Sequence, residues 1–181
     1  MFTQCKYEQL LRELDRIQTI APSHYLVYEM RAWTLYLMGG GDKVDETILN
    51  NLGKAIGLAP SKAAQSYHLR GVIHQRQKNL DSAIQDYSKT IELLPNEPRM
   101  YNSYLGRGGV FATKSNYVAA IKDAKRAAEL QPDQYRPYLL MVMSYRELGD
   151  REEAIKWLAV AERLAPTNPV VMELKEELGV E

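Results

Sequence analysis

The sequence is short of the residues that build several kinds of functional site. It contains one cysteine, Cys5, and three histidines among 181 residues. One thiol cannot form an intramolecular disulfide, and one thiol with three imidazoles is too little for a structural zinc site. We therefore expect no metal, no cofactor and a reducing intracellular compartment.

The sequence also lacks an excess of charge of either sign and any long apolar run. With 23 basic and 23 acidic residues, no net field draws the whole chain to nucleic acid or to an anionic membrane. No apolar run reaches the roughly 20 residues that span a bilayer, and residues 1–15 lack the basic start and apolar core of a signal peptide. We expect a soluble, cytoplasmic protein that binds neither nucleic acid nor membrane.

What the sequence does contain is a pattern that repeats. Proline closes helices, and one proline follows each long amphipathic stretch: Pro22, Pro60, Pro95, Pro132 and Pro166. Upstream, a tyrosine recurs at spacings of 39, 37 and 34 residues, as Tyr28, Tyr67, Tyr104 and Tyr138. A period in this range, made of two helices, predicts a helical solenoid.

Residues 64–166 resemble the tetratricopeptide repeat family in three consecutive copies. The matching positions are Tyr67, Gly71, Ala83, Tyr87 and Pro95, then Tyr104, Gly108, Phe111, Tyr117, Ala120, Ala127 and Pro132, then Tyr138, Tyr145, Gly149, Ala154, Ala161 and Pro166. The resemblance implies an all-α, right-handed superhelical solenoid of antiparallel helix pairs. It also implies a scaffold for binding another protein rather than an enzyme.

We predict one domain over residues 1–181. Its parts are a partial repeat or N-terminal helix at 1–22, a divergent repeat at 25–60, repeats at 64–97, 101–134 and 135–168, and a C-terminal capping helix at 169–179. The repeat at 25–60 diverges because Ile48 stands where a small residue is expected and Gly39-Gly40-Gly41 lengthens the turn. Asp150, with Glu153 three residues later, predicts a capped second helix in the last repeat.

No arrangement of residues in the sequence indicates catalysis. The glycine run is not followed by the Lys-Ser/Thr pair of a phosphate loop, and His68 and His74 lie on different faces of one helix. A weak basic cluster, Lys114, Lys122, Lys125 and Arg126, is interrupted by acidic residues and has no alternating aromatics, which favours a solvated helix face over a nucleic-acid site.

Two ion pairs are predicted from positions that change together. Three repeats carry Arg31, Arg70 and Arg107 on the first helix and Asn51, Asp86 and Asp123 on the second, whereas the last repeat carries Met141 and Trp157. This joint change predicts that Arg70 pairs with Asp86 and Arg107 with Asp123.

The resemblance implies that the first helices line a concave groove in which a peptide or partner helix lies. By position, the groove residues are Glu29, Trp33, Tyr36, Gln65, His68, Val72, Gln75, Arg76, Asn102, Leu105, Gly109, Ala112, Arg136, Leu139, Met143 and Arg146. Glycine inside a helix costs about 0.5 to 1 kcal/mol, so Gly109 indicates either a close ligand or close packing of a neighbouring helix.

Relatives that bind the acidic tails of heat-shock chaperones use lysines, asparagines and an arginine on these helices. The matching positions here are His68, Val72, Gly106, Arg136 and Leu140, of which only Arg136 fits. The resemblance thus argues against a chaperone tail and favours an apolar or mixed peptide. The alternative is a structural segment of a larger protein that has no groove ligand and either joins larger domains or self-associates through its N-terminal face. Charges placed at Leu14 and Ile17 would break such a dimer.

Overall fold

The chain folds into paired helices in a computed structural model, which describes residues 2–39, 41–95 and 97–180. The described residues form ten α-helices and one short 3-10 helix and contain no strand, which confirms the all-α prediction. Gly40, in the middle of the predicted glycine turn, lies outside the described residues. The helices fall into two compact units, residues 1–93 and 94–181.

Five helices form the first unit. They are α1 (Phe2–Ile20), α2 (Tyr25–Met38), α3 (Asp42–Leu58), α4 (Ala64–Arg76) and α5 (Leu80–Leu93). The second unit begins with the 3-10 helix Pro98–Met100, followed by α6 (Tyr101–Thr113), α7 (Tyr117–Leu130), α8 (Arg136–Glu147), α9 (Arg151–Leu164) and α10 (Pro169–Glu177). None of these described helices is both long enough and apolar enough to cross a bilayer.

Side-chain caps begin three of the helices in the second unit. Asn116 accepts from the Ala119 amide at 3.2 Å, and Asp150 accepts from the Glu153 amide at 3.1 Å, as predicted for the last repeat. At α10, Asn168 accepts from the amides of the second and third helical residues at 3.0 and 3.3 Å. Each cap satisfies a backbone donor that has no partner within its own helix.

The core of the first unit depends on close approach of α4 to α5. A Cβ on Gly71 would lie 3.1 Å from the Tyr87 ring, so hydrogen is the only side chain that fits without movement. Tyr87 itself is 1% exposed. Ile48, the large residue at an expected small position, is 1% exposed and packs among Ala32, Leu52, Leu69 and Ile73.

The core of the second unit extends to the end of the described chain. Its buried residues are Ala124, Tyr138, Met141, Val142, Ala154, Leu158, Ala161, Val171, Leu174 and Leu178. Since the last three belong to α10 and the residue after it, α10 covers the apolar side of α9. Burial of this kind contributes about 25 cal/mol per Å² of apolar surface.

Candidate protein-interaction surfaces

An exposed apolar stripe runs along α2. Leu26, Met30 and Leu37 are 38%, 45% and 57% exposed, and half-buried Trp33 lies between them in sequence. Their spacing of four, three and four residues puts all four on one face of the helix. We call this stripe, with His68 of α4, the N-terminal first-helix surface.

The sequence interpretation missed three members of this stripe. Only Trp33 was among the expected groove residues, because positions were transferred from the family pattern one by one. The helical period of apolar residues in α2 was a sufficient signal for Leu26, Met30 and Leu37.

Aromatic rings join α2 to α4 and α5 at this surface. The Trp33 ring stacks on His68 with centroids 6.4 Å apart and meets Tyr36 edge-on at 5.9 Å. His68 also lies 5.7 Å from the Tyr87 ring of α5. Burial lowers the pKa of His68 to about 4, so the imidazole is neutral at physiological pH.

Several residues expected to face a ligand instead link helices of the first unit. Glu29 is buried and accepts from the Ser66 hydroxyl at 2.6 Å. Gln75 accepts from the Tyr87 hydroxyl at 2.8 Å. Arg76 forms an ion pair with Asp45 of α3, in which Arg76 Nε lies 3.1 Å from Asp45 Oδ2. The Arg76 guanidinium also lies 5.9 Å from the centroid of the Tyr36 ring. Val72 and Gln65 are half-buried.

The corresponding surface of the second unit contains a cavity. Asn102, Arg136 and Met143 are exposed, whereas Leu105 and Leu139 are half-buried. The cavity of about 380 Å³ is lined by Gly109, Ala112, Thr113, Tyr117, Leu140, Met143, Ser144, Arg146 and Glu147. Arg146 is held by Glu147 at 2.8 Å and Glu177 at 2.7 Å. We call the exposed sides of α6 and α8 the C-terminal first-helix surface.

One buried hydroxyl lines this cavity without a described partner. Ser144 is 1% exposed, and no hydrogen bond to its oxygen is found among the described residues. The matching position is occupied by Ile73 and Val110 in the two preceding repeats, both fully buried. The smaller serine therefore contributes to the open space beside Gly109.

The recurring arginines of the two middle repeats reach the second helix of their own repeat. Arg70 donates to both oxygens of Asp86 at 2.8 and 2.7 Å, and Arg107 donates to both oxygens of Asp123 at 2.7 and 2.8 Å. The hydrogen bond to Asp86 raises the pKa of Arg70. Both carboxylates are nearly inaccessible to solvent, so these bidentate pairs belong to the packing of each repeat and not to an open site.

Arg31 behaves differently from Arg70 and Arg107. Its guanidinium turns back to α1, where it lies 2.6 Å from Asp15 and donates a second hydrogen bond to Gln18. Asn51, at the position of the two aspartates, donates to the Thr47 carbonyl at 2.8 Å. This arginine therefore ties the N-terminal helix to α2.

The described residues offer no metal site of the ordinary kind. Within 2–39, 41–95 and 97–180, no group of three or more His, Cys, Asp or Glu side chains could hold an ion. His74 Nε2 lies 3.8 Å from Asp86 Oδ2, beside the ion pair that Arg70 forms with the same aspartate.

Protonation of His68 is expected to weaken the fold in mild acid. Because burial lowers its pKa to about 4 from an ordinary 6.5, the unfolded chain takes up a proton first as the pH falls. The resulting loss in the free energy of unfolding is up to about 2 kcal/mol between about pH 7 and pH 5. Urea denaturation at the two pH values measures it, with His68→Phe as the control. An equally steep loss in that variant would assign the effect to other groups.

Two models of the tetratricopeptide repeat family match the chain, at residues 64–97 and 135–168. Human tetratricopeptide repeat protein 13 is 35% identical over 91 residues, which are 50% of this chain and 10% of that protein. The chain therefore matches only a tenth of that relative's length, and the relative's wider role does not transfer.

Solved structures show the same fold over nearly the whole chain. MamA is 18% identical, with 99% of this chain and 90% of MamA covered and a TM-score of 0.77. YrrB, described as a TPR protein with an unusual peptide-binding site, is 15% identical, with 94% and 84% covered and a TM-score of 0.76. These likenesses show the helical-repeat fold alone. The two matched family models and the human relative support a protein of the tetratricopeptide repeat family, with repeats at residues 64–97 and 135–168.

Proposed function

We propose that this chain is an adaptor that binds a peptide or a helix of another protein on its first-helix surfaces. The observation that carries the proposal is the apolar stripe of α2, in which Leu26, Met30 and Leu37 stay exposed around Trp33. Large apolar side chains grouped on one exposed face are typical of interaction sites. The described peptide-binding site of the similarly folded YrrB supports the same kind of function.

The chemistry of the N-terminal first-helix surface selects an apolar partner segment. The stripe matches the periodicity of an amphipathic helix, whose apolar residues also recur at three and four positions. Trp33 stacks on His68, which itself packs against Tyr87, so little side-chain freedom of Trp33 is lost on binding. His68 contributes no positive charge at neutral pH, in keeping with a partner other than an acidic chaperone tail.

Charges placed on the stripe should abolish partner binding. In the variant Met30→Asp with Leu37→Asp, two exposed apolar contacts are replaced by carboxylates that a partner would have to desolvate, and affinity is expected to fall at least about tenfold. Affinity purification of wild type from cell extract identifies the partner, and titration of its purified binding segment measures the loss. Val118→Asp, at another exposed apolar position (70%) on α7, is the matched control.

Retained binding in the stripe variant would contradict the proposal.

The second candidate function, self-association, is favoured by Ile17 and Ile20 at the end of α1, which are 45% and 83% exposed. Leu14, expected on that same face, is 2% exposed and belongs to the packing of α1 instead. A wild-type dimer in analytical ultracentrifugation that Ile20→Glu dissociates, while the stripe variant does not, would support self-association instead.

A further inference from the structure

A second candidate site lies away from the first-helix surfaces, where α7, α8 and α9 meet. A cavity of about 450 Å³ is lined by Lys125, Ala128, Glu129, Tyr138, Met141 and Trp157. We call it the Trp157 pocket. None of its lining residues belongs to the groove positions expected from the family pattern.

The Trp157 pocket is apolar at two positions where the preceding repeat has an ion pair. Where Arg107 and Asp123 join the two helices in the preceding repeat, Met141 and Trp157 stand here. Met141 is fully buried and Trp157 is half-buried, so the exchange leaves an indole at the wall of an open cavity. A polar link inside the repeat has become an apolar, partly accessible surface.

The aromatic wall of the pocket is held in place and its polar atoms are already satisfied. Trp157 Nε1 donates to Glu153 at 2.9 Å, and the Tyr138 hydroxyl donates to the Pro132 carbonyl at 3.0 Å. The two rings stack with centroids 5.9 Å apart and an angle of 22°. A rigid wall without spare donors favours an apolar or aromatic group as its occupant.

A positively charged cavity adjoins the Trp157 pocket. It measures about 530 Å³, shares Lys125 and Glu129 with the pocket, and is also lined by Tyr104, Arg107, Lys122, Asp123 and Arg126. Arg107 is paired with Asp123, and Arg126 with Glu129. In the described part of the chain no carboxylate forms a salt bridge with Lys122 or Lys125, both of which are exposed. The neighbouring cavity therefore complements negative charge.

We propose that this side of the second unit binds a short acidic peptide segment that carries one aromatic side chain. The aromatic group occupies the Trp157 pocket against Trp157, Tyr138 and Met141. Acidic residues beside it lie against Lys122 and Lys125. The apolar pocket provides affinity for the anchor, and the lysines select acidic flanks and make binding weaken with salt.

The probe for this site is a fluorescein-labelled heptapeptide with a central phenylalanine flanked by aspartate and glutamate, titrated with the full chain by fluorescence anisotropy. The variant Met141→Arg with Trp157→Asp replaces the apolar pair of the pocket by the arginine and aspartate that form an ion pair in the two preceding repeats. We expect it to weaken binding at least about tenfold. Lys122→Glu with Lys125→Glu, at exposed positions, should weaken it to a similar extent.

Three controls separate this site from the first-helix surfaces and from general charge attraction. Met30→Asp with Leu37→Asp should bind the probe as wild type does, so that failure of the groove proposal would leave this result unaffected. The same peptide with a central alanine should bind at least about tenfold more weakly to wild type. Circular dichroism melting checks that each variant is folded.

The proposal is overturned if the alanine peptide binds as tightly as the phenylalanine peptide, or if the Met141→Arg, Trp157→Asp variant is folded and keeps full affinity. It is also overturned if a single-stranded oligonucleotide competes as well as the unlabelled acidic peptide, or if the complex proves to be a second copy of the chain. Should the pocket variant fail to fold, the lysine variant and the two peptides on wild type decide the question.

Discussion

Replacing Arg107 by methionine is expected to lower the free energy of unfolding by about 3 to 4 kcal/mol. Asp123 is 3% exposed, and the guanidinium contributes two hydrogen bonds of 2.7 and 2.8 Å to its carboxylate. Removal of the arginine leaves a carboxylate buried between α6 and α7 without its counterion, and the desolvation cost of that charge is no longer offset. Equilibrium unfolding in urea measures the change.

The neighbouring repeat supplies the matched control. Met141 and Trp157 occupy the same two positions there, so Arg107→Met combined with Asp123→Trp introduces the residue pair of the last repeat into the preceding one. Since the double variant buries no unpaired charge, most of the lost stability should return. A loss below about 1 kcal/mol in the single variant would show that the pair contributes little.

The contact between Arg107 and Asp123, like that between Arg70 and Asp86, spans 16 residues, a separation that recurs in the sequence itself. Both partners lie within one repeat, whose two helices are fixed by small residues such as Gly71 and Gly108. Contacts of this kind can be predicted from the repeat pattern because its register is the same in each copy. The same reasoning predicted the all-helical repeat fold that the structure and its relatives show.

Contacts between successive repeats could not be predicted in the same way. Arg31 pairs with Asp15 of α1, which lies 16 residues before it, whereas Arg70 and Arg107 pair with aspartates 16 residues after them. Arg76 pairs with Asp45 of α3, 31 residues before it, and no other repeat has an arginine at the position of Arg76. Asp45 follows the glycine-rich turn between α2 and α3, which differs in sequence from the matching turns of the other repeats, so its position could not be transferred from them. The stack of Trp33 on His68 likewise needs two helices from different repeats.

The repeat pattern predicted the positions of the first-helix residues but not which of them are accessible to a partner. The family pattern located one side of each first helix but did not distinguish residues that are open from residues that are engaged. Glu29 is tied to Ser66, whereas Met30, its neighbour in sequence, is 45% exposed. Exposure depends on the packing of adjacent helices, which a single repeat does not encode.

A side chain at Gly108 is expected to cost about 3 kcal/mol, since it must enter a tight contact between α6 and its neighbouring helices. A Cβ there would lie 2.9 Å from Leu140 Cδ2, 3.2 Å from Asp123 Cβ and 3.3 Å from the Ala120 carbonyl oxygen. The Leu140 side chain can rotate. The Ala120 carbonyl oxygen and Asp123 Cβ cannot move away without separating α6 from α7. Gly108→Val should therefore strain the packing and the Arg107–Asp123 pair together.

The same substitution at Gly53 tests whether packing, and not helix propensity, is responsible. Gly53 lies inside α3 and is exposed, and a Cβ on it would meet no other atom of the described chain within 4 Å. Valine forms helix slightly better than glycine, so Gly53→Val should be neutral or stabilise by roughly a few tenths of a kcal/mol. Thermal and urea unfolding of both variants measure the contrast. Equal effects at the two sites would mean that α6 and α7 tolerate a wider separation than their contacts imply, because the crowding at Gly108 would then cost nothing.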